Sequence, residues 1–288
     1  MSLIVASILV LMFLNLVLGS VSIPLKSAWN IICGLGDEPV TWQNIVWKSR
    51  LPQALTALVA GAGLAISGLQ MQTVFRNPLA GPSVLGISSG ASMGVAFVVL
   101  LSGSLGGVAL SKLGVMGEIA LSIAAVIGSL SVMALIVYVS QKVKGNVTLL
   151  IIGVMIGYVA NAVIGVLKFF SVEEDIRAYV IWGLGSFSRV SGNQMMLFVA
   201  IMAILIPLSF LLIKTLNLML LGDGYARNLG LNIKRARLLV ITSAGVLTAI
   251  VTAYCGPVIF LGLAVPHLCR AIFQTSDHRV LMPAVLFA

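Results

Sequence analysis

The chain has 288 residues, of which 60% are hydrophobic and only 9% are charged. So few charged side chains cannot cover the surface of a water-soluble domain of this length, which excludes that class and indicates an integral membrane protein. The formal net charge of +9 comes from basic residues in short segments between apolar runs. Membrane orientation explains that distribution better than nucleic-acid binding does.

Apolar runs of about 20 residues predict the membrane-spanning helices. Eight spans are expected, near residues 3–23, 52–73, 84–104, 119–140, 147–168, 194–213, 238–255 and 257–273. A further apolar stretch begins at Val280. The connections are short except for two loops, expected at residues 24–50 and 214–237. No linker divides the chain, which predicts one all-α transmembrane domain over residues 1–288.

The basic residues predict that the N terminus lies in the cytoplasm. With that orientation, ten of the 17 Lys and Arg residues fall on the inner side and seven on the outer side, in agreement with the positive-inside rule. Trp29, Trp42 and Trp47 then lie at the outer interface, where an indole ring with one hydrated edge is stable.

Small residues recur at every fourth position in two of the predicted spans, and such stripes let helix backbones approach closely. We expect both spans to be packing or pathway helices. The first set is Gly86, Gly90 and Gly94, with Ser89 beside it, and the second is Gly153, Gly157, Asn161 and Gly165. For Asn161 two interpretations stay open: a hydrogen bond between helices, or a position that faces a pathway.

The predicted spans contain almost no ionisable residues. A proton- or sodium-driven carrier usually keeps such a group near the middle of the membrane to bind the coupling ion, so this composition counts against secondary transport. The phosphate-binding pattern of an ATPase is also absent from the sequence, and the driving energy is therefore expected from another subunit. We expect no catalytic residue and no cofactor.

The cysteines and histidines do not predict a metal site. Cys33, Cys255 and Cys269 are odd in number and widely spaced, which favours packing roles over a disulfide framework. The spacing of His267, Cys269 and His278 matches no standard zinc site.

Residues 214–237 contain a basic cluster. Asp223 is expected to cap a short helix that contains Tyr225 and Arg227 and stops at Gly230. On the residues alone, this helix is either a docking element for a cytoplasmic partner or a surface helix whose charge merely follows the membrane orientation. Arg50 lies at the start of the second span. On its position alone, we interpret it as a cation that anchors the helix at the membrane interface.

Four separated motifs, in this order, resemble the signature of the FecCD/BtuC permeases. Those proteins are the membrane subunits of binding-protein-dependent ABC importers for iron-siderophores, haem and cobalamin. The first motif extends from Arg50-Leu51-Pro52 through Asn77-Pro78-Leu79-Ala80 to residues 85–91. The others are residues 221–230, residues 255–270 and Asp277-His278-Arg279. The resemblance covers essentially the whole chain.

The resemblance implies an all-helical permease in the cell inner membrane. It implies a homodimer with a pathway along the dimer axis, two cytoplasmic ATP-binding subunits at residues 214–237, and a periplasmic or lipid-anchored substrate-binding protein outside. The permease itself is expected not to be an enzyme. Relatives have ten spans, and this sequence has eight and the start of a ninth, so we expect it to lack the last one or two helices.

The resemblance also assigns residues. The ATPase-coupling loop is expected at Leu221, Gly222, Asp223, Ala226, Arg227, Leu229 and Gly230, and further motif positions are Asn77, Pro78, Gly262, Pro266, His267 and Arg270. Arg50 is expected to dock the binding protein, although Gln53 stands where relatives commonly have a second arginine. The expected substrate is an iron-siderophore or haem, with cobalamin as the alternative. A non-ABC secondary carrier, or a membrane scaffold without transport, is the alternative of another class.

Overall fold

The structure is a computed structural model that describes residues 2–35, 38–104, 115–143, 145–190 and 192–288. Within these ranges all regular structure is helical. The α-helices are α1 Ser2–Val17, α2 Leu25–Cys33, α3 Val40–Ile45, α4 Leu51–Phe75, α5 Ile87–Ser104, α6 Val115–Lys142, α7 Asn146–Phe169, α8 Glu173–Gly183, α9 Gly192–Phe210, α10 Ile213–Leu220, α11 Asp223–Asn228, α12 Ile233–Cys255, α13 Leu261–Phe273 and α14 His278–Phe287. A π-helical segment, Val46–Arg50, joins α3 to α4, and 3-10 turns occupy Pro82–Leu85 and Phe187–Arg189.

The predicted all-α membrane class is confirmed, but the described residues contain fewer than eight full-length spans. Among the described residues, the helices long and apolar enough to cross a membrane are Val40–Phe75, Met116–Lys142, Val147–Phe169 and Ile233–Cys255. A pair bent by 45°, Gln194–Phe210 and Ile213–Leu220, makes a fifth if it is one span. Ala6–Val17, Ile87–Leu101, Leu261–Phe273 and His278–Phe287 are shorter apolar helices.

The difference arises where an apolar run continues past the point at which its helix stops. The first span was expected to reach residue 23, whereas α1 ends at Val17. The span expected to begin at residue 257 starts as a helix only at Leu261, because the chain first turns at Gly256, whose φ of 78° lies in the left-handed region. Hydropathy alone does not reveal such a break.

The expected loop at residues 24–50 is instead helical. α2 buries Ala28 and Ile31 and leaves Trp29 exposed, so one of its faces packs and the other does not. The ring of Trp29 lies edge-on to that of Phe13 in α1, with 6.1 Å between the ring centroids. A small hydrophobic cluster therefore holds this segment against the C-terminal end of α1.

Helix α4 is the centre of the molecule. From Ala62 to Phe75 every residue is buried, and α4 contacts α9, α10, α12, α13 and α14. The hydroxyl of Ser67 lies 2.8 Å from the carbonyl oxygen of Ala244 in α12 and 2.8 Å from the hydroxyl of Thr248. Gly68 packs directly on the backbone of Gly262 in α13. Small residues thus let α4 approach its neighbours at backbone distance.

Two of the three glycines of the first small-residue stripe, Gly90 and Gly94, lie at the contact between α5 and α6. Gly86 precedes α5, and a Cβ on it would lie 2.9 Å from the carbonyl oxygen of Gly153 in α7. A Cβ on Gly94 would lie 2.2 Å from the carbonyl oxygen of Ala124, and one on Gly90 would lie 2.6 Å from that of Gly128. Neither position has room for a side chain, so the two helix backbones are in direct contact along this stripe.

Candidate coupling surface and translocation helices

The connection between α9 and α12 has one anchored face and one exposed face. Leu216 and Met219 of α10 are fully or almost fully buried, and so is Ala226 of α11. α10 packs against α4 and α14, and α11 packs against α12. The apolar side chains on the opposite face are exposed: Leu220, Leu221, Tyr225 and Leu229. We call residues 220–230 the coupling surface.

Two of the three glycines of the predicted loop shape the coupling surface. Gly222 precedes α11 with a φ of 100°, and Gly230 follows it with a φ of 87°, both in the left-handed region that favours glycine. Arg227 lies on the exposed side of α11. The prediction that Asp223 caps this helix is wrong, because Gly222 occupies the cap and Asp223 is the first helical residue.

The carboxylate of Asp223 instead forms ion pairs with two other helices. One of its oxygens lies 2.6 Å from Nη2 of Arg76, and the other lies 3.6 Å from Nη2 of Arg237. Arg76 ends α4 with a φ of 48° and also donates to the carbonyl oxygen of Met219. Asp223 therefore connects α11 to the end of α4 and to the start of α12.

A buried polar network connects α10 to α4 and α14. His278 is fully buried, and its Nδ1 and backbone N–H both lie within 2.9 Å of Oδ1 of Asn217, which accepts from them. Nε2 of the same ring lies 2.8 Å from the hydroxyl of Thr73 in α4. The amide of Asn217 in turn donates to Asp277 over 2.6 Å.

The loop carboxylate of this network is held in its ionised form. Hydrogen bonds from the backbone of Arg279 and from the side chain of Asn217 lower the pKa of Asp277 below its usual value. Asp277 is also the N-cap of α14. Hydrogen bonds therefore connect α10 to the start of α14 and, through His278, to the central helix α4.

The remaining motif residues lie around the C-terminal half of α4 and have structural contacts. The side chain of Asn77 accepts from the backbone N–H of Leu79 over 2.9 Å, which closes the turn before Pro78. Arg270 of α13 donates to Gln72 of α4. Gly262 and Pro266 are buried in α13, whereas His267 is exposed on it.

The structure contradicts the prediction that Arg50 presents its charge to a docking protein. Arg50 is only 6% exposed. Its guanidinium donates to the carbonyl oxygens of Leu16 and Val17, at 2.7 and 2.8 Å, and to that of Val21. These are the free carbonyls at and beyond the end of α1, where a cation is favourable. The charge is therefore used within the chain.

The second small-residue stripe lies only partly in a helix contact. Gly153 of α7 packs on the backbone of Val84 and Leu85. A Cβ on Gly157 would lie 3.4 Å from the hydroxyl of Ser89 and meet nothing else, and one on Gly165 would meet nothing within 4 Å. Asn161 is exposed between them. One face of α7, which carries glycines and the amide of Asn161, is therefore largely uncovered by the rest of this chain.

Comparison with known proteins places the chain in a family. A family model described as the FecCD transport family matches residues 7–288. The chain belongs to the FecCD transport family. The resemblance stated from the motifs is thereby confirmed.

Two relatives of this FecCD chain are named permeases. The vitamin B12 import system permease protein BtuC of Klebsiella pneumoniae is 35% identical over 247 residues, which is 85% of this chain and 71% of the relative. The hemin transport system permease protein HmuU of Yersinia pestis is 34% identical over 268 residues, or 92% and 76% of the two chains.

A solved structure has the same fold. It is described as an inward-facing conformation of a metal-chelate type ABC transporter, and it superposes with a TM-score of 0.83 at 26% identity. The match covers 99% of this FecCD chain and 84% of the other.

Sequence reasoning missed the partners that position the coupling surface of this FecCD protein. Arg76 and Arg237 were among the ten cations assigned to the inner side, and His278 was considered only as a motif residue and as a possible metal ligand. The sequence did offer a signal for these contacts, because all three residues lie at the ends of predicted spans. Arg76 stands beside the Asn77-Pro78 turn, and His278 stands beside Asp277. Spacing along the chain does not show which of these ends meet.

Proposed function

We propose that residues 1–288 form a single permease domain that carries a metal chelate, an iron-siderophore or haem, through the inner membrane as part of an ABC importer. The observation that carries this proposal is the coupling surface. It is apolar and exposed on one side, and on the other side its segment bonds to residues of α4, α12 and α14. FecCD membership and the relatives named for haemin and vitamin B12 import support the substrate class. Cobalamin remains the alternative within the family.

The N terminus lies in the cytoplasm in this proposal, so the coupling surface faces two ATP-binding subunits. Exposed leucine and tyrosine side chains suit a groove on such a partner, because apolar area buried at a contact drives association. Closure of the ATP-binding subunits would move α10 and α11. That motion reaches α4 through Arg76 and His278, both of which bond residues of the moving segment.

A second copy of the chain completes the pathway in this proposal. The exposed stripe of α7, with Gly157, Asn161 and Gly165, faces the dimer axis, where small residues leave room for a bulky chelate. A substrate-binding protein docks at the outer face through residues other than Arg50. The permease supplies no covalent chemistry, and family membership disfavours a carrier driven by an ion gradient.

Replacement of Asp223 tests the coupling surface. Asp223→Lys places a cation between Arg76 and Arg237, so repulsion displaces α11. We expect co-purification with the ATP-binding subunit and ATP-driven uptake into proteoliposomes to fall at least tenfold, with radiolabelled iron-siderophore, haem and cobalamin compared as substrates. Glu118→Lys makes the same charge change at an exposed position on the opposite side and serves as the control. Undiminished co-purification of Asp223→Lys would reject the assignment, and uptake driven by an ion gradient without the ATP-binding subunit would reject the importer.

A further inference from the structure

A basic cavity of about 350 Å³ lies beside the coupling surface, between the end of α6 and the starts of α11 and α12. Its lining includes the cations Lys142, Arg227, Lys234 and Arg237, and one acid, Asp223. The charges of the lining therefore leave an excess of positive charge. Such a cavity favours an anion.

The described residues neutralise the cations of this cavity only in part. Asp223 is shared with Arg76, its nearer partner at 2.6 Å, while Arg237 lies at 3.6 Å. Among the described residues, Lys142, Arg227 and Lys234 form no ion pair within 4.0 Å. The Nε of Arg237 is buried and has no hydrogen-bond partner in the described part of the chain. A buried guanidinium nitrogen without a partner is costly unless a ligand accepts from it.

The cavity lies at the ends of two helices that are long and apolar enough to cross a membrane, which is where lipid headgroups are expected. Lys142 is the last residue of the span Met116–Lys142, and Arg237 directly precedes the apolar part of α12. Basic cavities at the cytoplasmic ends of membrane helices bind phosphate-containing headgroups.

A separate apolar groove lies deeper along α6. The groove has about 540 Å³ between α5, α6 and α7, and its lining includes Ser131 and Leu135. These residues precede Lys142 by eleven and seven positions, so they share its face of the helix and lie about 10–16 Å deeper in the membrane. An acyl chain attached to a headgroup at Lys142 spans that distance.

The same groove lies away from the proposed pathway. On α7 its lining includes Ile152, Ile156 and Val159. At 100° per residue this face is roughly opposite to the one with Gly157 and Asn161. A second copy of the chain at the pathway face therefore leaves the groove open to lipid.

We propose that this cavity and groove form a binding site for an anionic phospholipid of the inner leaflet, with the phosphate among Lys142, Lys234 and Arg237 and an acyl chain between α6 and α7. This goes beyond the transport function and rests on it only for the assignment of the leaflet. The lipid phosphate competes with Asp223 for Arg237, so the composition of the inner leaflet influences how firmly the coupling surface is held.

Binding of short-chain lipids to the purified full chain in detergent tests the site, with affinity measured by native mass spectrometry. We expect dioctanoyl phosphatidylglycerol to bind at least tenfold more tightly than dioctanoyl phosphatidylcholine. The double variant Lys142→Gln/Lys234→Gln should lose about 30-fold in affinity for phosphatidylglycerol, equivalent to about 1 kcal/mol for each removed cation. Both side chains are exposed, so the fold should tolerate the change. The Lys142→Arg/Lys234→Arg variant should retain binding, which separates loss of charge from loss of structure.

The matched control is Arg235→Gln, since Arg235 is an exposed cation in the same turn of α12 outside the cavity lining. It should change the affinity less than twofold. Equal affinity of the double variant and the unmodified chain would overturn the site. Displacement of the lipid by millimolar inorganic phosphate would assign the cavity to a soluble anion, and displacement by the ATP-binding subunit would assign it to the protein interface. Either result overturns the lipid proposal and leaves the proposed importer function standing.

Discussion

The contact between α4 and α13 offers the sharpest test of the packing. A Cβ on Gly68 would lie 1.6 Å from the carbonyl oxygen of Gly262 and 2.5 Å from its carbonyl carbon. A carbon–oxygen contact normally needs about 3.3 Å, so Gly68→Ala must separate the two helices by about 1.7 Å. No rotamer change relieves this clash, because the opposing atoms belong to the backbone.

Overpacking of this kind costs about 1–3 kcal/mol and occasionally more. We expect Gly68→Ala to lower the stability of the purified protein by about 3 kcal/mol. That loss corresponds to a fall in Tm of about 6–12 °C, measurable by thermal unfolding in detergent with tryptophan fluorescence.

Gly61→Ala is the matched control, because it lies in the same helix and its added Cβ meets nothing within 4 Å. Alanine has the higher helix propensity, so this variant should unfold at an unchanged or higher temperature. Both substitutions replace glycine by alanine in the same helix, but Gly68→Ala is expected to lower the Tm and Gly61→Ala is not. If Gly68→Ala matched Gly61→Ala in Tm, the close approach of α4 to α13 would be refuted.

Two further predictions follow from the buried polar contacts. Arg50→Met removes the cation that donates hydrogen bonds to the carbonyl oxygens at the end of α1, and it should lower the free energy of unfolding by about 2 kcal/mol. Arg50→Lys should restore part of this loss. An unchanged Tm combined with lost binding-protein docking would show that Arg50 acts in docking. His278→Ala leaves polar groups of Asn217 and Thr73 without a partner and opens a cavity, so we expect the free energy of unfolding to fall by about 3 kcal/mol and proteolysis within α10 to become faster. His278→Gln should recover part of the lost stability. Equal stability of the alanine variant and the unmodified protein would contradict the network.

The sequence determined the class of the protein and much of its site. Sixty per cent hydrophobic residues leave no soluble alternative, and the order of four motifs pointed to the FecCD family before any contact was known. A short helix between Asp223 and Gly230 was predicted, and α11 is found at Asp223–Asn228, although Gly222 and not Asp223 is its cap. These features are local, because composition, apolar run length and turn residues act on the chain at short range.

The tertiary structure decided which charges meet. Arg76 and Asp223 are 147 positions apart and Thr73 and His278 are 205 apart, and no periodicity relates residues at such separations. The same limit explains Arg50, whose position at the start of a span suggested a free cation although the fold brings the end of α1 against it. Pairing between helix ends follows from how the helices pack around α4, and packing depends on backbone approaches that a single sequence does not specify.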